Sequence, residues 1–194
     1  AMAEGFTKYM PPAGFPALRQ AIAGKLQREN GLDYAPENII VSCGAKHALY
    51  NVVMVLVDQG DEIIVPGPYW VTYPTQVLLA GGTPVIIPTT AADDFKITGE
   101  MLRRYLTPRT RGIMLNSPCN PTGAVYTPEE LEDLARVLLD TDLFIITDEI
   151  YEHIIFDGIK QISIATLHPA LKERSIIING FSKAYAMTGW RLGY

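Results

Sequence analysis

GIMLNSPCN at 112–120, followed by PTGAVYTPEELEDLARVLLD at 121–140 and LFIITDEIY at 143–151, is the stretch whose reading decides the fold. The apolar run at 112–115 is too short for a helix and stops at a cluster of Asn, Pro and Gly, so it reads as a buried strand. Residues 127–139 predict a helix: Thr127 can cap it, Pro128 suits its first position, and Glu129 and Glu130 sit where the helix dipole favours negative charge. A second apolar strand follows at 144–147. Both strands are continuously apolar rather than alternating, the mark of a parallel sheet covered on both faces.

The same cycle extends in both directions. Residues 38–43 (NIIVSC) read as a strand, 45–57 as a helix, and 62–65 as a strand after the turn at Gly60 and Asp61. Helical spacing at 73–80, a strand at 84–87, a helix at 98–106 and a strand at 175–179 complete the series. The expectation is an α/β fold in three layers, α/β/α, around a mainly parallel sheet with right-handed crossovers. No repeat or low-complexity linker divides the 194 residues, so 1–194 reads as one unit.

Composition narrows the function. With 16 Lys plus Arg against 21 Asp plus Glu, the net charge is −5. No basic stripe exists to engage a phosphate backbone, which argues against nucleic acid. The longest apolar run, 52–57, is far short of the roughly 18 to 20 residues of a membrane span. Residues 1–10 lack the pattern of an export signal. Two separated cysteines, Cys43 and Cys119, give no disulfide framework, and the default compartment is the cytoplasm. No metal site is assigned.

In sheets of this kind ligands collect beyond the carboxyl ends of the strands. The residues there are Gly44, Ala45 and Lys46; PGPYW at 66–70; NSPCNPTG at 116–123; DEIY at 148–151; and GFSK at 180–183. A nicotinamide-dependent dehydrogenase is compatible with the strand and helix alternation, but no G-x-G-x-x-G opens the first helix. A non-catalytic interaction module is a further reading.

Asn120-Pro-Thr-Gly123, Asp148-Glu-Ile-Tyr151, and Ser182-Lys183 with Gly189-Trp-Arg-Leu-Gly193 stand in one order along the chain. Together they resemble the fold-type I pyridoxal-phosphate enzymes, and within them the aspartate aminotransferase family, over almost the whole chain. The resemblance implies pyridoxal 5′-phosphate as cofactor and Lys183 as the Schiff-base lysine that later carries a proton between the substrate's α-carbon and the cofactor's C4′. Lying between Phe181 and Tyr185, with Arg191 nearby, Lys183 is expected to be partly desolvated. Asp148 is implied to pair with the pyridine nitrogen, and Asn120 and Tyr151 to hydrogen-bond the phenolic oxygen. Backbone N–H groups of Gly44, Ala45 and Lys46, with Ser182 and Arg191, are implied to hold the phosphate, and Trp70 to stack on the ring. Gly180 departs from the serine that many relatives carry, which removes one phosphate donor. Glu149 receives no role.

The resemblance also implies substrate contacts by Trp70, Asn120 and Lys46, the last toward the distal carboxylate of acidic substrates; a solvated helix lysine is its other reading. Tyr9 is implied to reach the site of a partner subunit in a homodimer, the alternative being a tyrosine packed beneath the helix that starts near Pro16. Family members are longer. The expectation is therefore a large cofactor-binding domain lacking an N-terminal arm, the end of a final antiparallel strand that begins near Trp190, and a small C-terminal domain with the arginine for the α-carboxylate. The expected reaction moves an amino group from aspartate or glutamate to a 2-oxo acid, with prephenate-type substrates as an extension. A carbon–sulfur lyase, an aminocyclopropane-carboxylate synthase or an inactive cofactor-binding fragment would share these residues.

Overall fold

A computed structural model describes residues 2–194. Its centre is a sheet of five strands, β1 (Glu62–Pro66), β2 (Thr83–Ile87), β3 (Thr110–Asn116), β4 (Phe144–Asp148) and β5 (Ser175–Ile178). They run in the order β2-β1-β3-β4-β5, and every pairing is parallel. Six α-helices surround them: α1 (Pro16–Lys25), α2 (Ala45–Leu56), α3 (Thr72–Leu79), α4 (Gly99–Tyr105), α5 (Pro128–Leu139) and α6 (Pro169–Arg174).

The continuous apolar strands serve two cores at once. Ile64, Ile113, Leu115 and Ile145 point to one face, where they pack with Leu102 of α4, Leu134 and Leu138 of α5 and Leu171 of α6. The intervening Ile63, Val65, Met114 and Ile146 point to the other, against Leu49 and Val53 of α2 and Tyr73 and Val77 of α3. Successive side chains of a strand alternate faces, so two covered faces require an unbroken apolar run. Helix α5 follows its sequence reading closely: Thr127 Oγ1 accepts from the Glu130 N–H at 3.3 Å, and Glu130 Oε2 accepts from the Thr127 N–H at 2.8 Å, a reciprocal capping box.

From β1 the chain passes to β2 on one side and then returns to place β3 on the other. This reversal opens a crevice at the carboxyl ends of β1 and β3, the topological position where such sheets bind ligands.

The run 38–43 is not a strand of this sheet. A 3-10 turn occupies Pro36–Asn38, and of the following residues only Ser42 makes a bridge, antiparallel to Gly193. A strand exists through its ladder, and here the bridge to Gly193 is isolated, the Val41 N–H donating instead to Ala13 O at 2.9 Å. The antiparallel segment expected near Trp190 starts at Leu192, because Trp190 itself lies in a 3-10 turn, Thr188–Trp190. Phe181 N–H donates to Leu192 O at 3.1 Å, and Asn179 and Tyr194 exchange two bonds of 2.9 Å. Between β5 and residues 38–42 lies an open cavity of about 650 Å³, walled by Ile39, Val52, Ile176 and Ile178 among others.

Candidate active site

The site begins where β3 and β4 end in register, with Asn116 opposite Asp148. Asn116 is the hinge of the following loop: Nδ2 donates to Asp148 O (2.9 Å) and Pro118 O (3.1 Å), and Oδ1 accepts from the Asn120 N–H (2.8 Å). The loop that carries Asn120 is thereby tied to the strand that carries Asp148. The sequence places Asn116 in the 116–123 run beyond a strand end without giving it a role of its own, although an Asn closing an apolar strand before a Pro-rich turn is a signal for such a role.

Asp148 is 5% exposed. Its Oδ2 accepts from Tyr73 Oη at 2.8 Å and its Oδ1 from the Ile150 N–H at 3.2 Å. Burial pushes the carboxyl above its ordinary value, while the Tyr73 hydroxyl, the Ile150 N–H and the charge of Lys183 pull the other way without cancelling it. Burial, and then the charge of Asp148, hold the Tyr73 phenol well above 10, so it acts as a donor. An ionised carboxylate can accept about four hydrogen bonds, and these two leave capacity for a cationic partner in the cleft. The sequence marks Tyr73 only as the start of a helix; its place in the first turn of α3, just after the 66–70 loop, is the available clue.

Lys183 is exposed rather than shielded. Phe181 and Tyr185 pack on each other, with ring centroids 5.6 Å apart, instead of enclosing the amine. The Lys183 Nζ lies 5.5 Å from the centre of the Tyr151 ring, and Asn120 Nδ2 approaches Tyr151 Oη at 3.5 Å. Trp70 meets Tyr73 edge to face at 5.6 Å. Lys46, on the first turn of α2, is not simply solvated: its Nζ sits 4.9 Å above the Trp70 ring, a cation–π contact.

The opposite end of the cleft gathers hydrogen-bond donors and a cation. Gly44 precedes α2 with φ 88°, and no described side chain caps the helix, so its first N–H groups and its dipole face outward. Arg191 stands over this end, donating from Nη1 to Thr188 O at 2.8 Å and from Nη2 to Cys43 O at 3.4 Å. A Cβ at Gly44 would come within 3.1 Å of the guanidinium carbon. Gly193 makes the complementary approach from behind, since a Cβ there would lie 2.5 Å from the Gly44 carbonyl carbon. Gly180 offers no side chain, and its N–H is already taken by Asn179 Oδ1 at 2.7 Å.

One cleft of about 300 Å³ brings together Ala45, Lys46, Trp70, Asn120, Asp148, Tyr151, Ser182, Lys183 and Arg191, and adds Tyr73 and Asn116. Gly44 stands at its rim as the cap of α2. Tyr9 is elsewhere, fully exposed and not packed beneath α1. An amine, a buried carboxylate and an anion-binding helix end facing one volume can hold a flat, phosphate-bearing ligand and move a proton beside it.

Comparison with known proteins agrees with this architecture. The chain is 54% identical over 194 residues to the aspartate aminotransferase of Geobacillus stearothermophilus, covering 100% of this chain and 49% of that protein. It is 51% identical over 194 residues to the probable aspartate/prephenate aminotransferase of Thermus aquaticus, covering 100% of this chain and 50% of that protein. The structure of Thermus thermophilus aspartate aminotransferase with maleate superposes with a TM-score of 0.93 at 48% identity, over 100% of this chain and 50% of that one. The chain thus spans about half the length of the curated relatives it matches. The model of the family described as Aminotransferase class I and II matches residues 1–194, and the chain belongs to that family.

Proposed function

We propose that residues 1–194 form the cofactor-binding large domain of an enzyme that transfers an amino group from an amino acid to a 2-oxo acid, with pyridoxal 5′-phosphate as the group held in the cleft. The observation that carries this reading is that the Lys183 amine and the buried Asp148 carboxylate open onto one cleft whose rim is an uncapped helix end under Arg191.

The donor set suits that cofactor. Phosphate would meet the N–H groups of Ala45 and Lys46 at the start of α2, the guanidinium of Arg191 and the Ser182 hydroxyl, whereas the expected Gly44 donor is already taken by Ser42 O at 2.8 Å. Asp148, deprived of water, favours a protonated ring nitrogen as its partner. Asn120 and Tyr151 offer donors to the phenolic oxygen, and Trp70 offers a flat face. When bound, the cofactor supplies an electron-poor ring that takes up the electrons released at the substrate's α-carbon. With the cofactor bound, Lys183 would hold its aldehyde carbon and would be placed to move a proton between the substrate's α-carbon and C4′. Asp148 would pair with the ring nitrogen, and that pairing would keep the carboxylate ionised.

The names of the relatives and the Lys46 ammonium above Trp70 support an acidic amino donor, aspartate or glutamate, whose distal carboxylate Lys46 would receive. The fully exposed Tyr9 is free to reach the site of a partner in a homodimer. A cytoplasmic location belongs to the same reading; no helix among the described residues is long and apolar enough to cross a membrane.

Incubation with pyridoxal phosphate, reduction with borohydride and peptide mass mapping test the proposal. The pyridoxyl group is expected on Lys183 and is lost in Lys183→Ala. Absence of a label, or a label on another lysine, overturns it.

A further inference from the structure

Behind the Lys183 loop, on the side away from the cleft, lies a buried polar node that none of the roles above uses. Its centre is Glu152, whose side chain is 7% exposed. One carboxylate oxygen forms a short ion pair with Lys25 of α1 and accepts from Asn179 Nδ2 at 2.6 Å; the other accepts from Asn30 Nδ2 at 2.6 Å. Lys25 also donates to Asn30 Oδ1 at 2.8 Å, and His153 Nε2 stands 3.6 Å from the shared oxygen. Burial pushes the Glu152 carboxyl up, but the bonds from Lys25, Asn30 and Asn179 outweigh it and hold it ionised below its ordinary value.

Asn179 transmits this anchorage. It follows β5, is 3% exposed, and its Oδ1 accepts from the Gly180 N–H at 2.7 Å. Gly180 opens the four residues that end at Lys183. The side-chain amide of Asn179 is thus fixed at one end by Glu152 and fixes the turn at the other. A buried carboxylate that is fully paired has one low-energy arrangement, and it imposes that arrangement on its donors.

We propose that Glu152 is a positioning residue: through Asn179 it sets the path of the 180–183 turn, and so the place of the Lys183 amine over the cleft, relative to α1. The inference rests on the reading of Lys183 given above. It requires that the amine's rate of attack depends on this node while anion binding at α2 and Arg191 does not.

The test measures two quantities on the full chain. One is the rate at which the Lys183 amine adds to the aldehyde carbon of pyridoxal phosphate with loss of one water, trapped by hydride from borohydride. The other is the affinity for inorganic phosphate, measured by competition. Asn179→Ala leaves the Lys25–Glu152 pair intact and is expected to slow capture about tenfold, with phosphate affinity within about twofold of the unaltered chain. Glu152→Gln keeps an acceptor for Asn179 and is expected to capture within about threefold of the unaltered rate, whereas Glu152→Met behaves like Asn179→Ala. Should Glu152→Met fail to fold because Lys25 loses its nearest carboxylate, Asn179→Ala decides alone. Capture at the original rate in Asn179→Ala, or capture and phosphate affinity falling together, overturns the proposal. Absence of capture by the unaltered chain, or capture that survives Lys183→Ala, overturns the reading of Lys183 and this inference with it.

Discussion

The Tyr73 hydroxyl donates to the Asp148 carboxylate across 2.8 Å, joining the first turn of α3 to the end of β4 within the core. It is one of two hydrogen bonds to that carboxylate among the described residues, the other coming from the Ile150 N–H. A buried acid with so few donors keeps its charge only if a cation completes the set, which is why this pair bears on every chemical role proposed for the cleft.

Tyr73→Phe removes one of those donors and changes little else in volume. A hydrogen bond to a charged group is worth about 1.5–3 kcal/mol. Asp148 should then rise further, pair less well with a protonated ring nitrogen, and weaken binding of pyridoxal phosphate about tenfold or more at neutral pH. Fluorescence titration with the cofactor, alongside circular dichroism to confirm the fold, measures this; an unchanged dissociation constant would contradict the role given to Asp148.

Gly44→Ala tests the anion end. Gly44 has φ 88°, where a Cβ is strained, and the added methyl would press on the Arg191 guanidinium. The expected outcome is a loss of about 1–3 kcal/mol of stability together with weaker inorganic phosphate binding. If the variant unfolds earlier on heating but binds phosphate as before, Arg191 and the start of α2 do not form one site.

Glu149 predicts a pH dependence. Its carboxyl is fully buried, the Thr147 hydroxyl donates to one oxygen at 3.0 Å, and the other oxygen has no hydrogen-bond partner among the described residues. Burial foremost raises it from 4.5 to about 7, against the lowering effect of the Ser163 and Thr147 hydroxyls. The folded state therefore keeps a proton that the unfolded chain releases, so this group's contribution to stability is greatest below about pH 4.5 and declines as pH rises toward 7. The decline is on the order of 3 kcal/mol. Glu149→Gln, which cannot ionise, should gain in thermal midpoint relative to the unaltered chain between pH 5 and 8. A difference between the two that stays constant across this range would refute the assignment.

Lys46→Met bears on substrate choice under the proposed function. Removing an ammonium that meets a distal carboxylate should lower kcat/KM for aspartate by about tenfold or more relative to alanine. Steady-state kinetics on both donors measure the ratio, and an unaltered ratio would leave Lys46 with only its contact to Trp70.

The sequence by itself made strands β1 to β5, helices α2 to α5 and the capping of α5 legible, because these depend on neighbours within a few residues: apolar runs, turn residues, a Thr and a Glu three apart; it left the short helix α6 unmarked. It also determined which residues follow the strands, and the cleft gathers most of them. Only the tertiary structure decided that 38–43 would lack a ladder, that Lys183 would stand exposed while Phe181 and Tyr185 packed together, and that Asn116, Tyr73 and Glu152 would hold Asp148, Asn120 and the Lys183 turn. The bond from Tyr73 to Asp148 joins residues 75 positions apart, and the pair of Lys25 and Glu152 joins residues 127 apart. No local pattern encodes them, since they arise from the reversal of strand order between β1 and β3 and from the placing of Tyr73 on α3 and Lys25 on α1 beside residues at and just beyond the end of β4.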